Sequence, residues 1–537
     1  MPLKDFLTPE EPLGPIRHER ILRRRVTDAR GEDPVNLLVY QAEPFDLALH
    51  DLRPIVLGRR GSGKTAIVAA MLAGSGRQHY YYTRDDTEHD SQDVYVFIQS
   101  WDHLDEIVNL VGIDCLHALG SQPMWDDLMP ETAARFWARH LWQAIFNQIY
   151  RDAASESSPV DYRSKLPLVF RFIEGRDIID PKEAITNEAL QKSFDRTRES
   201  VLEYLSGSKR TCFIIIDSLD LYPITSPRFS RILAGLLRCI TNFTDTYKNV
   251  KIYCCVPEEV EPYLFTHVAN ETRDLSPVTS YSRLHWKPID LLKIVAERYR
   301  EFLKIHLPTV SNEDEDFLSA ASALDLSTRS NLMSFYRNVM PQRITNRYGQ
   351  KEDSIAYVIR HSQLLPRELI LLLSRAISLS HQETGSWRSV TEKAITSAIE
   401  ESEAALARQI LKPYIPVYRE LIMACETVLS ELPPICSLSE LHAVGKRMRK
   451  SVALETDDPW RTLFEIGVIG YIDPDTSIRK SDYYEYGVFH FNSLSPIRFA
   501  NHLRYCVHPL FSGTWHLNRK PDMKFIYPAR IEETYWD

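Results

Sequence analysis

The sequence predicts an α/β fold: a parallel sheet with a helical insertion, followed by a helical lid and a winged-helix-like C-terminal module. Three observations predict it. Short apolar runs recur at 54–58, 93–100, 212–217 and 250–256, segments of helical spacing lie between and after them, and a glycine turn joins the first run to a helix-forming segment. Strands alternating with helices call for a mainly parallel sheet covered on both faces.

Taken in order, residues 1–50 form an N-terminal adaptor segment. It holds a basic cluster of Arg17, Arg20, Arg23, Arg24 and Arg25 and an amphipathic stretch over 35–49. The run PIVLG then reads as a buried strand, and TAIVAAMLAG after the glycine turn reads as a helix. DVYVFIQS gives a second strand. The aromatic-rich stretch after it, with Trp125, Trp137, Trp142 and Phe146, gives a helical insertion over about 103–205. CFIIID and VKIYCCV are continuous apolar runs, as expected of strands buried on both faces, and SRLHW, ending at Trp286, is a weaker candidate. The sheet domain therefore spans 51–287.

From 288 to 411 the spacing of IDLLKIVAERYREFL and of SIAYVIRHSQLLPRELILLLSRAISLS predicts amphipathic helices, read as the lid. Over 412–537 the pattern is a helix at 417–429, the break LPPICS, helices SLSELHAV and PWRTLFEIGVI, and two short strands, GYIDP and YYEYGVFHFN. Three short helices with a strand pair suggest the winged-helix-like module.

A chain of 537 residues exceeds what one core supports, so several domains are expected. With 44% hydrophobic and 26% charged residues it has ordinary globular composition, and no apolar run approaches the roughly 18 residues of a membrane span. The opening residues MPLKDFLTPEEPLGP lack the apolar segment of a signal peptide, so a cytoplasmic location without membrane contact is expected. The eight cysteines include no C-x2-C pair, which leaves reduced structural thiols as the reading. A net charge of −9 excludes a protein-wide basic footprint for nucleic acid, though not a local patch.

The glycine turn carries the chemistry. GRRGSGKT, residues 58–65, fits G-x-x-x-x-G-K-[ST] between an apolar strand and a helix, the context in which that pattern cradles phosphates. This is the P-loop of an NTPase, with Gly58, Gly61, Ser62, Gly63, Lys64, Thr65 and Ala66 as nucleotide-binding residues. The glycines are expected to take positive φ and admit the phosphates, while successive N–H groups at the helix start form an anion nest. Lys64 would reach the β and γ phosphates, and the Thr65 hydroxyl would ligate Mg²⁺. Arg59 and Arg60 read as solvated loop residues. The second metal anchor in such proteins is an Asp ending an apolar strand, taken here to lie beside the P-loop strand, and Asp217 fits. A strand-end cap is its alternative role. Asp220, in DSLD, either polarises the attacking water or binds a metal water, or merely caps a loop. Ser218 stands where many hydrolysing relatives carry an acid.

With GRRGSGKTAI, CFIIIDSLD and the sequence Leu365-Pro366-Arg367-Glu368-Leu369 in view, the chain resembles the STAND and KAP-like branch of P-loop ATPases, related to AAA+ and origin-recognition ATPases. The likeness covers about 35–410. It implies that Arg367, after the proline that opens a lid helix, faces the γ-phosphate. It also implies a polar or basic sensor at the end of the fourth strand, where this chain reads CCVPEEV and assigns none. The long separation of Lys64 from Asp217 suits this branch. The closing segments FHFNSLSPIRF and CVHPLF look similar to those of short bacterial antiphage-defence ATPases.

Two functions follow as expectations. The first is an Mg²⁺-dependent ATPase acting as a switch that controls a homo-oligomer or a separate effector protein. The alternative is a DNA-associated ATPase that docks nucleic acid through the C-terminal module, where Lys446, Arg447, Arg449 and Lys450 cluster, unless they are a solvated helix end. ATP is favoured over GTP because no guanine-reading N-K-x-D stretch occurs. A small-molecule kinase is disfavoured by the partner-binding bulk after the sheet. His490 and His508, isolated among aromatics, read as satisfied interior residues.

Overall fold

The computed structural model describes residues 6–14, 53–72, 94–99, most of 133–149, 188–217, 227–260, 281–307, 312–415, 425, 429–451, 459–474, 484–492, and most of 499–529. The fold is α/β with a parallel sheet and mostly helical content. It divides into two compact units: Leu47–Arg59 with Arg77–Leu284, and Met1–Asp46 with Arg60–Gly76 and His285–Asp537.

The first unit is built on five strands: β1 Ile55–Gly58, β2 Val94–Gln99, β3 Cys212–Asp217, β4 Val250–Pro257 and β5 Tyr281–Arg283. Their order is β2-β3-β4-β1-β5 and every pair is parallel. The expectation that the Asp217 strand lies beside the P-loop strand is corrected here, because β4 sits between them. Its composition explains the place: β4 is buried at every position except Lys251, so it belongs in the sheet interior. Arg53 Nη1 donates to the Tyr281 carbonyl at 2.8 Å, and Leu284 N donates to Leu57 O, which hold the short β5 on the sheet edge.

Helix α2 (Glu188–Gly207) precedes β3 and α3 (Pro227–Thr246) connects β3 to β4. The apolar face of α3, with Leu233, Leu237, Ile240 and Phe243, packs into one core with Ile214, Ile216 and Ile252 of the strands. Trp137, Trp142 and Phe146 belong to that same core; Trp142 lies 5.5 Å from Phe243 and 5.1 Å from Tyr247, ring to ring. These three aromatics are thus structural, and truncating Trp137 or Trp142 to Ala would cost about 3–5 kcal/mol. Trp125 and most of the insertion lie outside the described residues, as do the N-terminal arginine cluster and the 35–49 stretch.

The second unit contains α1 (Lys64–Leu72), α4 (Pro288–His306), α5 (Asn312–Ala323), α6 (Arg329–Val339), α7 (Ser354–Arg360), α8 (Pro366–Thr384) and α9 (Glu392–Leu411). A short hairpin, β6 (Arg343–Thr345) with β7 (Lys351–Asp353), precedes α7. Helix α4 packs on α6 and α8, and α8 packs on α9. Residues 354–384 form two helices, and the second opens at Pro366, as the resemblance implied. Pro366 disfavours helical backbone at the residue before it, and Leu364 takes φ +55°, so the chain breaks over 361–365. Residues 6–14 fold onto this unit, with Phe6, Leu7 and Leu13 buried. Arg298 of α4, itself buried, donates through Nη1 to the Leu13 carbonyl, and the guanidinium lies 5.8 Å from the Phe6 ring.

The expected lid boundary at 411/412 falls inside this unit, which continues into a second sheet. Its strands are β8 (Ile435–Ser437), β9 (Ile469–Ile472), β10 (Tyr484–Val488), β11 (Arg504–Val507) and β12 (Phe525–Tyr527), in the order β12-β10-β9-β11-β8. All pairs are antiparallel except β10 with β12. The expected strand pair is β9 and β10; the other three strands, at three or four residues, are too short to show a two-residue alternation. Helices α10 (Leu438–Ser451) and α11 (Pro459–Glu465) follow β8, and α12 (Pro509–Thr514) follows β11. The expected helix over 417–429 lies almost wholly outside the described residues. His508 is fully buried and caps α12: its Nδ1 accepts from Leu510 N, so Nε2 carries the proton and donates to the Ser362 carbonyl at 3.0 Å. It is the satisfied interior histidine the sequence suggested.

Among the described residues, all seven cysteines are free and buried, and no helix is long and apolar enough to cross a membrane.

Candidate functional site

Glycine spacing and helix start combine to shape the loop between β1 and α1. Gly58 is the last residue of β1, in register with Pro257. Its φ is not positive, contrary to expectation, because it is still part of the strand ladder. Gly61 and Gly63 do take the positive φ, at +96° and +97°. There the loop reverses, and the Gly63 carbonyl accepts from Ala66 N at 2.9 Å and Ile67 N at 3.1 Å, opening α1. Helix α1 is apolar along its length and its Ala66, Ile67 and Val68 are buried, so its N-terminus is fixed from within. Lys64 stands at the first helical position with 8% exposure, and Thr65 next to it is partly exposed.

Two side chains from later in the sequence shape the loop. Trp286 Nε1 donates to the Ser62 carbonyl at 2.9 Å, a buried hydrogen bond. The Ser62 hydroxyl is buried and has no hydrogen-bond partner among the described residues. Arg367, second residue of α8 after Pro366, donates from its backbone N to the Gly61 carbonyl at 3.4 Å. Its side chain lies over Gly61 so closely that a Cβ there would be 3.1 Å from Arg367 Cβ and 3.3 Å from Cδ. The sequence singled out Arg367 but gave no sign of Trp286, which read only as the end of a weak strand.

In the sheet unit, Gly58 and Asp217 end parallel strands, so both lie at the carboxyl edge, where open α/β sheets bind ligands. Asp217 is 1% exposed, and its negative charge adds to burial in pushing the Cys254 thiol up. Arg59 corrects the expectation of a solvated residue: at 8% exposure it is buried, as the direct continuation of a fully buried strand. Flanking β1 on its two sides are Glu258, just after β4, and Arg283, ending β5, joined by an ion pair of 3.1 Å. Sequence reading missed this pair because strand order alone brings 258 and 283 to either side of β1. Asp220 and Ser218 lie outside the described residues. No group of three or more His, Cys, Asp or Glu side chains is placed to hold a metal among those described.

No protein-family model and no curated protein matches the sequence. Solved structures similar to the chain include the Aeropyrum pernix ORC2 protein in ADPNP–ADP complexes, at 11% identity and TM-score 0.35, covering 86% of each chain. The ADP form of that protein is similar at 11% identity and TM-score 0.31, covering 91% of this chain and 94% of the other.

On the C-terminal module, Lys446, Arg447 and Lys450 are exposed on α10, and Arg447 pairs with Glu431 at 2.9 Å. The side chain of Arg449 lies outside the described residues. The next helix, α11, has Trp460, Thr462, Leu463 and Phe464 buried.

Proposed function

We propose that the chain is a magnesium-dependent P-loop ATPase that works as a molecular switch. The observation that carries this is the loop itself: two positive-φ glycines before a helix whose Ala66, Ile67 and Val68 are buried, a largely buried Lys64, an unsatisfied buried Ser62 hydroxyl, and Arg367 lying on Gly61. A concave run of backbone with a buried cation and a spare hydroxyl suits a polyphosphate, whose oxygens accept from all three kinds of group. In this reading Gly58, Gly61, Ser62, Gly63, Lys64, Thr65 and Ala66 hold ATP, and Thr65 and Asp217 hold Mg²⁺. Arg367 senses the γ-phosphate side, and Asp220 is the candidate for orienting the attacking water.

The likeness to that branch adds that the switch controls a partner protein or a homo-oligomer, as in bacterial antiphage defence, with the winged-helix-like module and lid as its moving parts. The exposed cations of α10 favour a second reading, a DNA-associated ATPase. Calorimetric titration of the full chain with magnesium ATP tests the first: binding heat is expected for the native sequence and none for Lys64→Ala. An absence of heat with the native, folded chain would overturn it. The second requires duplex DNA affinity that falls steeply with salt.

A further inference from the structure

The break between α7 and α8 is buried throughout: His361, Ser362, Gln363, Leu364 and Leu365 are each 5% exposed or less. A non-helical segment inside a protein must find partners for its polar groups, and this one finds them on two sides. Toward the C-terminal sheet, Gln363 Nε2 donates to the Gly467 carbonyl at 3.0 Å and the Ile466 carbonyl at 3.4 Å, while the Ser362 carbonyl accepts from His508 Nε2. Toward α8, Gln363 N donates to Glu368 Oε2 at 2.5 Å. Gly467 has φ +79°, and a Cβ on it would lie 3.2 Å from Gln363 Nε2 and 2.6 Å from the Phe491 ring, so only glycine admits the amide at this distance. Leu364 is held at φ +55°, a conformation that a branched side chain leaves unless its surroundings fix it. Pro366 then locks φ, and the next residue is Arg367, on Gly61.

We infer that Gln363 is a positioning residue: it fastens the turn between α11 and β9 to the segment that sets Arg367 against the P-loop, so the C-terminal sheet and the loop at Gly61 share one equilibrium. This deepens the switch reading above and rests on it. Three residues, two of them conformationally fixed, lie between Gln363 and Arg367, leaving little slack to absorb a displacement of the 466–467 turn. Linkage then runs both ways: a nucleotide that orders the loop orders that turn, and a partner that moves the C-terminal sheet alters nucleotide affinity.

Hydrogen exchange on the full chain, read by mass spectrometry, tests this in two arms. In the nucleotide-free protein, Gln363→Met keeps the side-chain volume and removes the amide; faster exchange by about fivefold at residues 61–65, with α9 unchanged, is expected. Exchange at 61–65 that stays native while 466–468 loosens would overturn the tether. In the native sequence, a non-hydrolysable magnesium ATP analogue should slow exchange at 61–65 and at 466–468 together. Protection confined to 61–65 would overturn the tether and leave the nucleotide reading standing. Protection at neither place would refute the nucleotide reading, and the first arm then decides the tether alone. Should Gln363→Met not fold, the second arm decides it.

Discussion

The backbone N–H of Arg367 meets the carbonyl of Gly61 at 3.4 Å, and a Cβ on Gly61 would come within 3.1 Å of Arg367 Cβ, close enough to press the side chain aside. Gly61→Ala therefore introduces two faults at once: a side chain at φ +96° and a collision with Arg367. A stability loss of about 1–2 kcal/mol from the backbone alone is expected, read by urea unfolding, together with weaker ATP binding. Native affinity in this variant would mean that the Arg367 contact has no bearing on the loop.

Asp217 ends β3 almost fully buried, and in the proposed site it anchors Mg²⁺. Asp217→Asn keeps the shape and removes the charge. ATP turnover should fall at least a hundredfold, about 2.7 kcal/mol of barrier, with ATP affinity changed far less. Phosphate release measured at several Mg²⁺ concentrations checks this, and equal losses of binding and turnover would count against the metal role.

Trp286 fixes the loop through one buried bond to the Ser62 carbonyl. Trp286→Phe retains most of the apolar volume and leaves that carbonyl without its donor, at a cost of about 1–3 kcal/mol. The thermal midpoint should drop, and added nucleotide should recover part of the loss. Recovery equal to that of the native chain would show the bond to be independent of the loop's nucleotide-binding form.

His361 gives a pH signature. Burial, and then the charge of Arg360, hold its imidazole well below the ordinary range, while its Nδ1 meets the Tyr357 carbonyl at 2.6 Å. Glu403 Oε1 lies 3.4 Å from Nε2, a separation that would suit an ion pair. With the ring held neutral it is a polar contact. The unfolded chain takes a proton on this histidine below about 6.5 and the folded chain does not. Its contribution to stability is present above that pH and lost as the pH falls through the folded value. Glu403 works oppositely: burial pushes its carboxyl up to about 6 from 4.5, so its contribution is full at lower pH and lost as pH rises past about 6. Replacing His361 with Asn should thus narrow the stability gap to the native chain as the pH is lowered from 7.5 to 5. Urea midpoints at the two pH values read it, and a constant gap would contradict it.

The sheet strands were legible because β3 and β4 are continuous apolar runs, and the loop was legible because its glycines and Lys64 have fixed spacing. Strand order was not: no local pattern says that β4 enters between β3 and β1, and that insertion decides where Glu258 and Arg283 come to rest. The extent of the break at 361–365 was not legible because the apolar residues on both sides keep helical spacing straight across it. Only Pro366 signalled it, and the left-handed turn at Leu364 carries no glycine to mark it. The strands β8, β11 and β12 left no trace in a reading that relies on alternation, and the partners of the Ser62 carbonyl and of the Gln363 side-chain amide are more than a hundred residues away in sequence.

Leu13 donates its N–H to the Ser374 hydroxyl across 361 residues, and Arg298 reaches back 285 to the Leu13 carbonyl. Contacts of such separation close very large loops, so the helices α4 and α8 gain these partners only by joining a segment made hundreds of residues earlier. Most of the sheet unit leaves the ribosome before them and can condense first. A fragment beginning at residue 285 lacks both residues 6–14 and α1 of its own unit, so it would show apolar surface that the native chain covers with Phe6, Leu7 and Leu13, and it should aggregate.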